Sequence, residues 1–217
     1  MKRFALPIII LAVTVLLLVL IAFSGNSGGT DYSTGKPTQQ TMASEWVRGN
    51  SAAGIVVIEY SDFQCPACAS YEPIVRRVEE AYGKKVAFVY RHFPLVQIHA
   101  NADIAARASE AAGKQGKFWE MHDALFDNHN AWEKVVNAQT FFEQYAQKIG
   151  LNVDQFKKDL TADDVKQAVA DDYARGQLAG VQGTPTFYLN GKQITPATYE
   201  EFAAALDVVV GTSTYEN

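Results

Sequence analysis

The apolar run at residues 55–58 (IVVI) constrains the fold more than any other stretch of the chain. A β-branched run with no polar alternation is typical of a strand whose two faces are both buried. The pattern then predicts a helix over about 65–82, ended by Gly83, and a second apolar strand over 86–90. A strand-helix-strand unit of this kind requires a right-handed crossover and two parallel strands.

The rest of the chain changes character twice. Residues 98 to about 180 carry apolar side chains at helical spacing and are predicted to be entirely helical. Strand character returns at 186–189, and the pair Asn190-Gly191 with residues 192–194 predicts a hairpin. A last helix is expected with Thr195 as its cap and Pro196 in its first position. The order is typical of an α/β fold with a small mixed sheet and an all-helical insertion between its two halves.

Composition excludes several classes of protein. Of 217 residues, 48% are hydrophobic and 20% are charged, which excludes a wholly disordered chain. The formal net charge of −5 gives no basic footprint, so we expect no nucleic-acid partner. With only two cysteines, the chain is neither a disulfide-stapled miniprotein nor the holder of a four-cysteine zinc site.

The amino terminus resembles a targeting segment. Lys2 and Arg3 precede an apolar run that ends at Phe23, which is long for a cleaved signal and has only a weak cleavage-like site after it. We therefore predict a signal-anchor or transmembrane helix over 1–23, with a cleaved signal as the alternative. Both place the remainder outside the cytoplasm, because the positive residues stay inside. Residues 24–44 are predicted to be a flexible linker, and 45–217 the folded domain with its insertion at about 98–180.

The chemistry is expected at the start of the first helix, in Cys65-Pro66-Ala67-Cys68. One helical turn separates the two sulfurs, so they can close a disulfide. Free N–H groups and the helix dipole at a helix start favour an anion, which makes Cys65 the expected attacking thiolate. Cys68 would be the resolving partner that attacks a mixed disulfide.

A Cys-x-x-Cys pair has two alternatives to redox chemistry, a structural disulfide and a metal site. A purely structural disulfide would stabilise the chain little, because the loop that it closes is very short. A zinc site would need histidines at ligand spacing to the cysteines, and none of the four shows it. We therefore expect no metal and no cofactor. The four histidines are His92, His99, His122 and His129.

These motifs resemble the DsbA family of thiol-disulfide oxidoreductases, which have a thioredoxin-like fold, and in particular its exported or membrane-anchored bacterial members. The resemblance covers about residues 45–210, and it implies the same order of elements and the same insertion. The matching stretches are 59–63 (EYSDF), 63–68 (FQCPAC), 116–119 (GKFW) with Met121-His122, and 183–186 (GTPT).

The resemblance implies roles for further residues. Pro185 would be the cis-proline beside the disulfide, with the backbone of Thr184 open to pair with an extended substrate. Glu59 would be a buried acid that accepts the proton of Cys68, although a strand-end glutamate facing solvent is the alternative. Substrate contacts are also expected from Pro66 and Ala67 and from Phe63, which could equally be a core residue.

Two residues depart from the family pattern. Ala67 stands where the strongest exported oxidases carry a histidine that stabilises the thiolate, so the Cys65 thiolate is expected to depend on the helix dipole and backbone N–H groups alone. Thr184 replaces the valine usual in those oxidases and resembles the isomerase branch. Both departures leave the type of chemistry intact and bear on the direction of electron flow, since stabilising the reduced thiolate makes a disulfide more oxidising.

The expected function is transfer of the Cys65–Cys68 disulfide to cysteine pairs of reduced or unfolded exported proteins. The resemblance implies reoxidation by a quinone-linked membrane partner of the DsbB or vitamin K epoxide reductase type. A reductase or isomerase kept reduced by a membrane donor is the alternative within the same chemistry. A tethered chaperone without redox activity is a third possibility, and the presence of both cysteines argues against it.

Overall fold

The computed structural model describes residues 45–213, which contain a five-stranded mixed sheet. The spatial order of the strands is β1-β3-β2-β4-β5. The strands are β1 (Trp46–Gly49), β2 (Val56–Ser61), β3 (Ala87–His92), β4 (Thr186–Leu189) and β5 (Lys192–Ile194). β2 pairs in parallel with β3 and antiparallel with β4, and it is buried along its whole length.

Helices cover both faces of the sheet, as the apolar strand pattern predicts. Helix α1 (Pro66–Tyr82) connects β2 to β3 and packs on one face together with the last helix, α8 (Tyr199–Ser213). Val57 and Phe88 point to that face, whereas Val56 and Val89 point to the opposite one. The alternation of a strand therefore places Glu59 and Ser61 beneath α1.

The predicted insertion is entirely helical within the described residues, and it lies between β3 and β4. It comprises α2 (Ala102–Gly113), α3 (Phe118–Asp127), α4 (His129–Trp132), α5 (Gln139–Lys148), α6 (Val153–Asp159) and α7 (Asp163–Ala179). Its core is continuous with the redox motif, because Cys65, Cys68 and Phe63 belong to the same buried cluster as Trp132 and Phe142. The helical block is thus part of the wall of the site.

The sheet has one strand that the sequence pattern did not predict. β1 runs antiparallel to β3, with Trp46 opposite Tyr90. β1 has only four residues and is partly exposed, so the strand is too short to show the alternation of apolar and polar side chains that marks a strand. Trp46 stacks on Phe118 at 4.4 Å and lies so close to Gly113 that a Cβ there would be 2.3 Å from the indole ring.

The start of the last helix also differs from the prediction. The helix begins at Tyr199, so Thr195 does not cap it and Pro196 is not its first residue. Thr198 Oγ1 instead accepts a hydrogen bond from the Glu201 backbone N–H at 3.2 Å. The Glu201 carboxylate accepts one from the Ala197 backbone N–H at 2.7 Å, so a pair of reciprocal bonds of the capping-box kind fixes the start three residues later.

The predicted anchor at 1–23 and the predicted linker at 24–44 lie outside the described residues. Within residues 45–213, no helix combines the length and the apolar character needed to cross a membrane.

Candidate active site

A tight turn carries Cys65 from the end of β2 to the start of α1. The Cys65 N–H donates to the Asp62 carbonyl at 3.0 Å, and the Gln64 N–H donates to the Asp62 carboxylate at 2.8 Å. Cys65 has extended backbone angles and is the N-cap of the helix, and Pro66 occupies the first turn. The sulfur is thus held at the helix end where free N–H groups point outward.

The two cysteines are free thiols in very different surroundings. Cys65 is 7% exposed and Cys68 is 1% exposed. A hydrogen bond from the Cys68 thiol is the largest effect on Cys65 and, with the Thr184 hydroxyl and the backbone N–H groups of Cys68 and Ala67, lowers the pKa of Cys65 to about 5. Burial and the neighbouring Cys65 sulfur raise the pKa of Cys68 well above its usual value.

These contributions correct one expectation about the thiolate. It does not depend on the helix start alone, because the Cys68 thiol and the Thr184 side chain also stabilise it. The missing histidine at position 67 therefore leaves a thiolate that is still strongly favoured. Pro66 and Ala67 are exposed and flank it on the solvent side.

Thr184 and Pro185 face Cys65 from the other half of the fold. The peptide bond between them is cis, as predicted. The Cys65 thiol lies 3.5 Å from the Thr184 carbonyl oxygen and can donate to it. The Thr184 hydroxyl is buried and forms no other hydrogen bond within the described residues, so it is available to the Cys65 sulfur, whose pKa it lowers. A chain attached to Cys65 would therefore lie beside the backbone of residue 184.

Glu59 lies beneath Cys68 on β2 and is 8% exposed, so the alternative of a solvent-facing glutamate is wrong. Burial, followed by repulsion from the Glu72 carboxylate, raises the pKa of Glu59 to about 8. The carboxyl is therefore protonated at neutral pH and can release or accept a proton near it. The Glu59 charge in turn contributes to the raised pKa of Cys68.

Two buried hydroxyls that we did not predict as site residues accompany Glu59. Ser61 is 1% exposed and Tyr90 is 3% exposed, and neither hydroxyl has a partner among the described residues. A cavity of about 10 Å³, close to the size of one water molecule, borders Glu59, Tyr90 and His122. We call Glu59, Ser61 and Tyr90 the floor of the site.

Of the two roles left open for Phe63, a substrate contact and a core residue, the structure shows the core residue. Its side chain is 1% exposed and stacks on Tyr90 with ring centroids 5.0 Å apart. It also contacts His122 and Phe126 of the helical insertion. Because the turn directs residue 63 inward, Phe63 joins the insertion to the sheet, and other residues form the exposed surface around Cys65.

Two loops are tied to the residues just before Cys65. The Asp62 carboxylate contacts His99 Nδ1 at 2.6 Å and accepts from the Leu95 N–H at 3.0 Å. Gln64 donates to the Glu133 carbonyl at 2.6 Å and accepts from the Asn101 N–H at 2.6 Å. These loops carry exposed apolar side chains near the motif. The exposed side chains are Val96, Ile98 and Val136.

One group of side chains has the spacing of a metal site. Glu72, His122 and Asp123 bring ligand atoms within 4.8 Å of one another. Arg48 already holds both oxygens of Asp123, at 2.6 and 2.7 Å, and Arg76 holds Glu72 at 2.8 Å. Guanidinium groups thus already neutralise both carboxylates, and the arrangement is an ion-pair network beneath α1.

Comparison with known proteins agrees with this geometry. The family described as Thioredoxin matches residues 41–208. A thioredoxin-like oxidoreductase from Silicibacter pomeroyi superposes with a TM-score of 0.67 at 27% identity, covering 79% of this chain and 95% of that one. Oxidised BdbD from Bacillus subtilis superposes with a TM-score of 0.70 at 25% identity, covering 80% of this chain and 96% of that one. Alpha-DsbA1 of Wolbachia pipientis, at 19% identity, has the same fold with a TM-score of 0.73 over 82% and 99%.

Curated sequences give a second kind of match. A protein named Na(+)/H(+) antiporter NhaA 3 from Salinispora tropica is 38% identical over 161 residues, which is 74% of this chain and 24% of the antiporter. A similar antiporter from Salinispora arenicola is 38% identical over 147 residues, 68% of this chain and 22% of that protein. The chain thus spans about a quarter of the length of the curated relatives that it matches.

Proposed function

Because the chain belongs to the Thioredoxin family and is a thiol-disulfide oxidoreductase with a DsbA-like fold, we propose that it oxidises cysteine pairs of exported proteins through Cys65 and Cys68. The observation that carries the proposal is the difference between the two sulfurs. We call Cys65, Pro66, Ala67, Thr184 and Pro185 the rim of the site. Cys65 has a pKa near 5, whereas Cys68 lies one turn deeper and has a raised pKa. At neutral pH the first is a thiolate and the second a thiol.

The reaction that we propose transfers one disulfide and balances as follows. A client thiolate attacks Cys65 of the oxidised pair, the Cys65–Cys68 bond breaks, and Cys68 leaves with the electron pair and takes up a proton. A second client thiolate then attacks the client sulfur of the mixed disulfide. Cys65 leaves as a stable thiolate, the client pair is oxidised, and the enzyme pair is reduced.

The stability of the Cys65 thiolate supports oxidation rather than reduction as the direction. A thiolate that is stabilised in the reduced enzyme favours the reduced form and so makes the disulfide more oxidising. A pKa near 5 lies between the roughly 7 of thioredoxin and the roughly 3.5 of the strongest exported oxidase. Thr184, which resembles the isomerase branch, contributes here to the low pKa.

We propose that clients bind as extended segments across the rim. A client sulfur bonded to Cys65 would place its chain beside the Thr184 backbone, which lies 3.5 Å from the Cys65 sulfur. Pro66, Ala67 and Pro185 would border that segment. Apolar client side chains would meet Val96 and Ile98, whose loop is fastened to Asp62.

For the cellular setting, we propose that residues 1–23 anchor the chain in the membrane, that residues 24–44 are a flexible linker, and that 45–217 act on the extracytoplasmic side, in the periplasm or at the cell exterior. If the segment is cleaved, the domain would be secreted or periplasmic. The recycling partner would be a quinone-linked membrane thiol oxidase of the DsbB or vitamin K epoxide reductase type. Support comes from the sequence pattern of 1–44 and from the DsbA-like fold. Because the matched antiporter is about three times as long as this chain, its activity is not carried over.

The reduction potential of the full-length protein tests the direction. Equilibration with glutathione buffers is expected to give a value between the roughly −120 mV of strong exported oxidases and the roughly −180 mV of protein disulfide isomerase. The oxidised protein should also convert a reduced two-cysteine peptide to its disulfide in one stoichiometric turnover. A potential near −270 mV, where thioredoxin lies, would make the protein a reductase instead.

A further inference from the structure

The floor of the site contains two polar groups that the fold leaves unused. The hydroxyls of Ser61 and Tyr90 are both inaccessible to solvent, and neither has a hydrogen-bond partner among the described residues. Buried polar groups are almost always paired in folded proteins, because an unpaired one loses its hydration without compensation. Two such groups beside one reactive sulfur therefore require an explanation.

Strand geometry brings these hydroxyls together with Glu59. Glu59 and Ser61 are two residues apart on β2, so their side chains leave the same face of the sheet. Tyr90 is the register partner of Glu59 on β3 and points to that face as well. Helix α1 covers the face and places Cys68 in the same buried cluster as Tyr90. Ser61 thus lies where it can reach the Glu59 carboxyl, the Cys68 sulfur and the Tyr90 oxygen.

The pKa shifts of the neighbouring groups indicate when the Ser61 hydroxyl forms a hydrogen bond. A hydrogen bond from Ser61 lowers the pKa of Glu59, of Cys68 and of Tyr90, which means that it stabilises the charged form of each. Burial raises all three values, so in the resting reduced protein these neighbours are protonated and offer Ser61 no anion. A charge appears on the floor only when Cys68 is released from a disulfide or when Glu59 gives up its proton.

We propose that Ser61 relays the proton between Glu59 and Cys68 during disulfide exchange. When the Cys65–Cys68 bond breaks, Cys68 carries the electron pair and accepts the Ser61 hydroxyl proton, while Ser61 takes the proton of the Glu59 carboxyl. Ser61 ends unchanged, Cys68 is a thiol, and Glu59 is a carboxylate. In the reverse direction Cys68 loses its proton by the same route as it attacks a mixed disulfide. The inference rests on the proposed function.

Tyr90 has a different part in the floor. Burial and the nearby Glu59 carboxylate keep the pKa of Tyr90 well above its usual value, so its hydroxyl stays protonated. It lies opposite Glu59 and can donate a hydrogen bond to the carboxylate that forms once the proton has left. Tyr90 is therefore a positioning residue for Glu59, and Ser61 is the residue through which the proton passes.

The test measures how fast reduced glutathione opens the disulfide of the oxidised full-length protein, followed by acid quenching and mass spectrometry. Ser61→Ala and Glu59→Gln should each slow opening at least tenfold at pH 7. Because both act on one proton path, the double variant should be no more than about twofold slower than Glu59→Gln alone. Ser61→Thr retains the hydroxyl and should stay within threefold of the natural protein.

Ser109→Ala is the matched control, since Ser109 is a fully buried serine of α2 whose hydroxyl donates to the Ala106 carbonyl at 2.8 Å. It should leave the opening rate unchanged. A loss of less than threefold in Ser61→Ala, or a double variant whose losses multiply, would overturn the relay. A proton inventory on the natural protein in mixed H₂O and D₂O needs no variant, and a linear plot would also overturn it.

Alkylation of Cys65 separates failure of the relay from failure of the proposed function. In every variant the Cys65 thiolate should react with iodoacetamide with an acid midpoint, because Ser61 does not contribute to the low pKa of Cys65. If the natural protein lacks that midpoint, or if glutathione does not open its disulfide, the proposed function fails. If the acid midpoint is observed and glutathione opens the disulfide, but the Ser61 variants do not behave as expected, only the relay is wrong.

Discussion

The rim and the floor of the active site shift the pKa of a cysteine side chain in opposite directions. At the rim, Cys65 meets a thiol, a hydroxyl and two backbone N–H groups, all of which favour the anion, and its pKa falls to about 5. At the floor, Cys68 is enclosed beside Glu59 and under a full turn of helix, and its pKa rises. One helical turn, about 5 Å, separates the two environments.

Under the proposed mechanism, the rim determines the redox equilibrium and the floor determines the rate of proton transfer. Stabilising the Cys65 thiolate makes the reduced state more favourable, which is a thermodynamic effect. In the proposed relay, the floor exchanges a proton with Cys68 whenever the disulfide opens or closes, which is a kinetic effect. Changes at the rim should therefore move the potential, and changes at the floor should move rates.

The largest expected effect comes from the sulfurs themselves. Cys65→Ser should abolish exchange with a reduced peptide, whereas Cys68→Ser should leave the first attack intact and trap mixed disulfides through Cys65. Non-reducing gels and mass spectrometry of client complexes distinguish the two results. A Cys68→Ser protein that traps no client would remove Cys65 from the role of nucleophile.

A matched pair of variants at position 68 tests how the Cys68 side chain affects the pKa of Cys65. Both Cys68→Ser and Cys68→Ala lack the resolving thiol, but only serine keeps a donor toward Cys65. Because the Cys68 thiol is the largest contributor to the lowered pKa, alanine should raise the pKa of Cys65 by more than about one unit and serine by less. The pH dependence of iodoacetamide alkylation measures both values. Equal midpoints in the two variants would contradict the assigned hydrogen bond.

The next effect is at the floor, where Glu59→Gln should slow mixed-disulfide resolution about ten- to a hundredfold. The same change should stabilise the protein. Glu59 keeps its proton in the folded state up to about pH 8, whereas the unfolded chain releases it near 4.5, so the natural protein loses stability as pH rises between these values. Glutamine removes that loss, which amounts to about 3 kcal/mol at most at pH 7.

Urea unfolding at pH 5 and pH 7 checks the sign of this effect, since the gain in the free energy of unfolding should shrink from about 3 kcal/mol at pH 7 to about 1 kcal/mol at pH 5. Glu110→Gln is the control, because Glu110 is a buried glutamate that accepts a hydrogen bond from Trp46 Nε1 at 2.7 Å. Glu110→Gln should not raise the free energy of unfolding at either pH. Unchanged turnover in Glu59→Gln would show that the acid takes no part in exchange.

The sequence predicted the fold well wherever long patterns exist. The apolar run at 55–58, the Asn190-Gly191 hairpin and the helical spacing across 98–180 each correspond to observed elements. The errors fall on short features. β1 has four residues and no readable period, and the start of α8 was assigned to a plausible cap three residues too early. Local signals of that length cannot outweigh tertiary pairing.

The site was predictable to the extent that it follows a linear motif. Cys65, Cys68 and the cis bond at Pro185 are in the predicted places, and Glu59 is buried. For Phe63 the sequence leaves a substrate contact and a core residue equally open, because nothing in the local sequence determines on which side of the turn the side chain lies. The structure shows the core residue. The floor was missed because it needs β3 in register with β2, although the alternation of Glu59 and Ser61 on one strand was a readable signal.

A further prediction concerns how the reduction potential changes with pH. Below pH 5 both sulfurs take up a proton on reduction, so the potential should fall by about 59 mV per pH unit. Above it only Cys68 does, so the slope should halve to about 30 mV. The break should lie near pH 5, the pKa of Cys65. An unbroken steep slope up to pH 8 would mean that Cys65 is an ordinary thiol.

The smallest expected effects are two opposite adjustments at the rim. Thr184→Val keeps the shape of the side chain but removes a buried hydroxyl that lowers the pKa of Cys65, so the potential should fall by roughly 15–30 mV, the equivalent of half to one pKa unit. Ala67→His adds a cation beside the thiolate and should raise the potential by a similar amount. Position 67 is exposed, so solvent screens the added charge and high salt should reduce the gain.

Combining these rim changes with Glu59→Gln tests the division between rim and floor directly. The potential should follow the rim residue in every combination, and the slowing caused by Glu59→Gln should remain about the same in each background. Glutathione equilibration and single-turnover opening rates provide the two readouts on the same samples. If Thr184→Val changed the factor by which Glu59→Gln slows opening more than about threefold, rim and floor would be one coupled unit, and the separate roles assigned to the two cysteines would have to be merged.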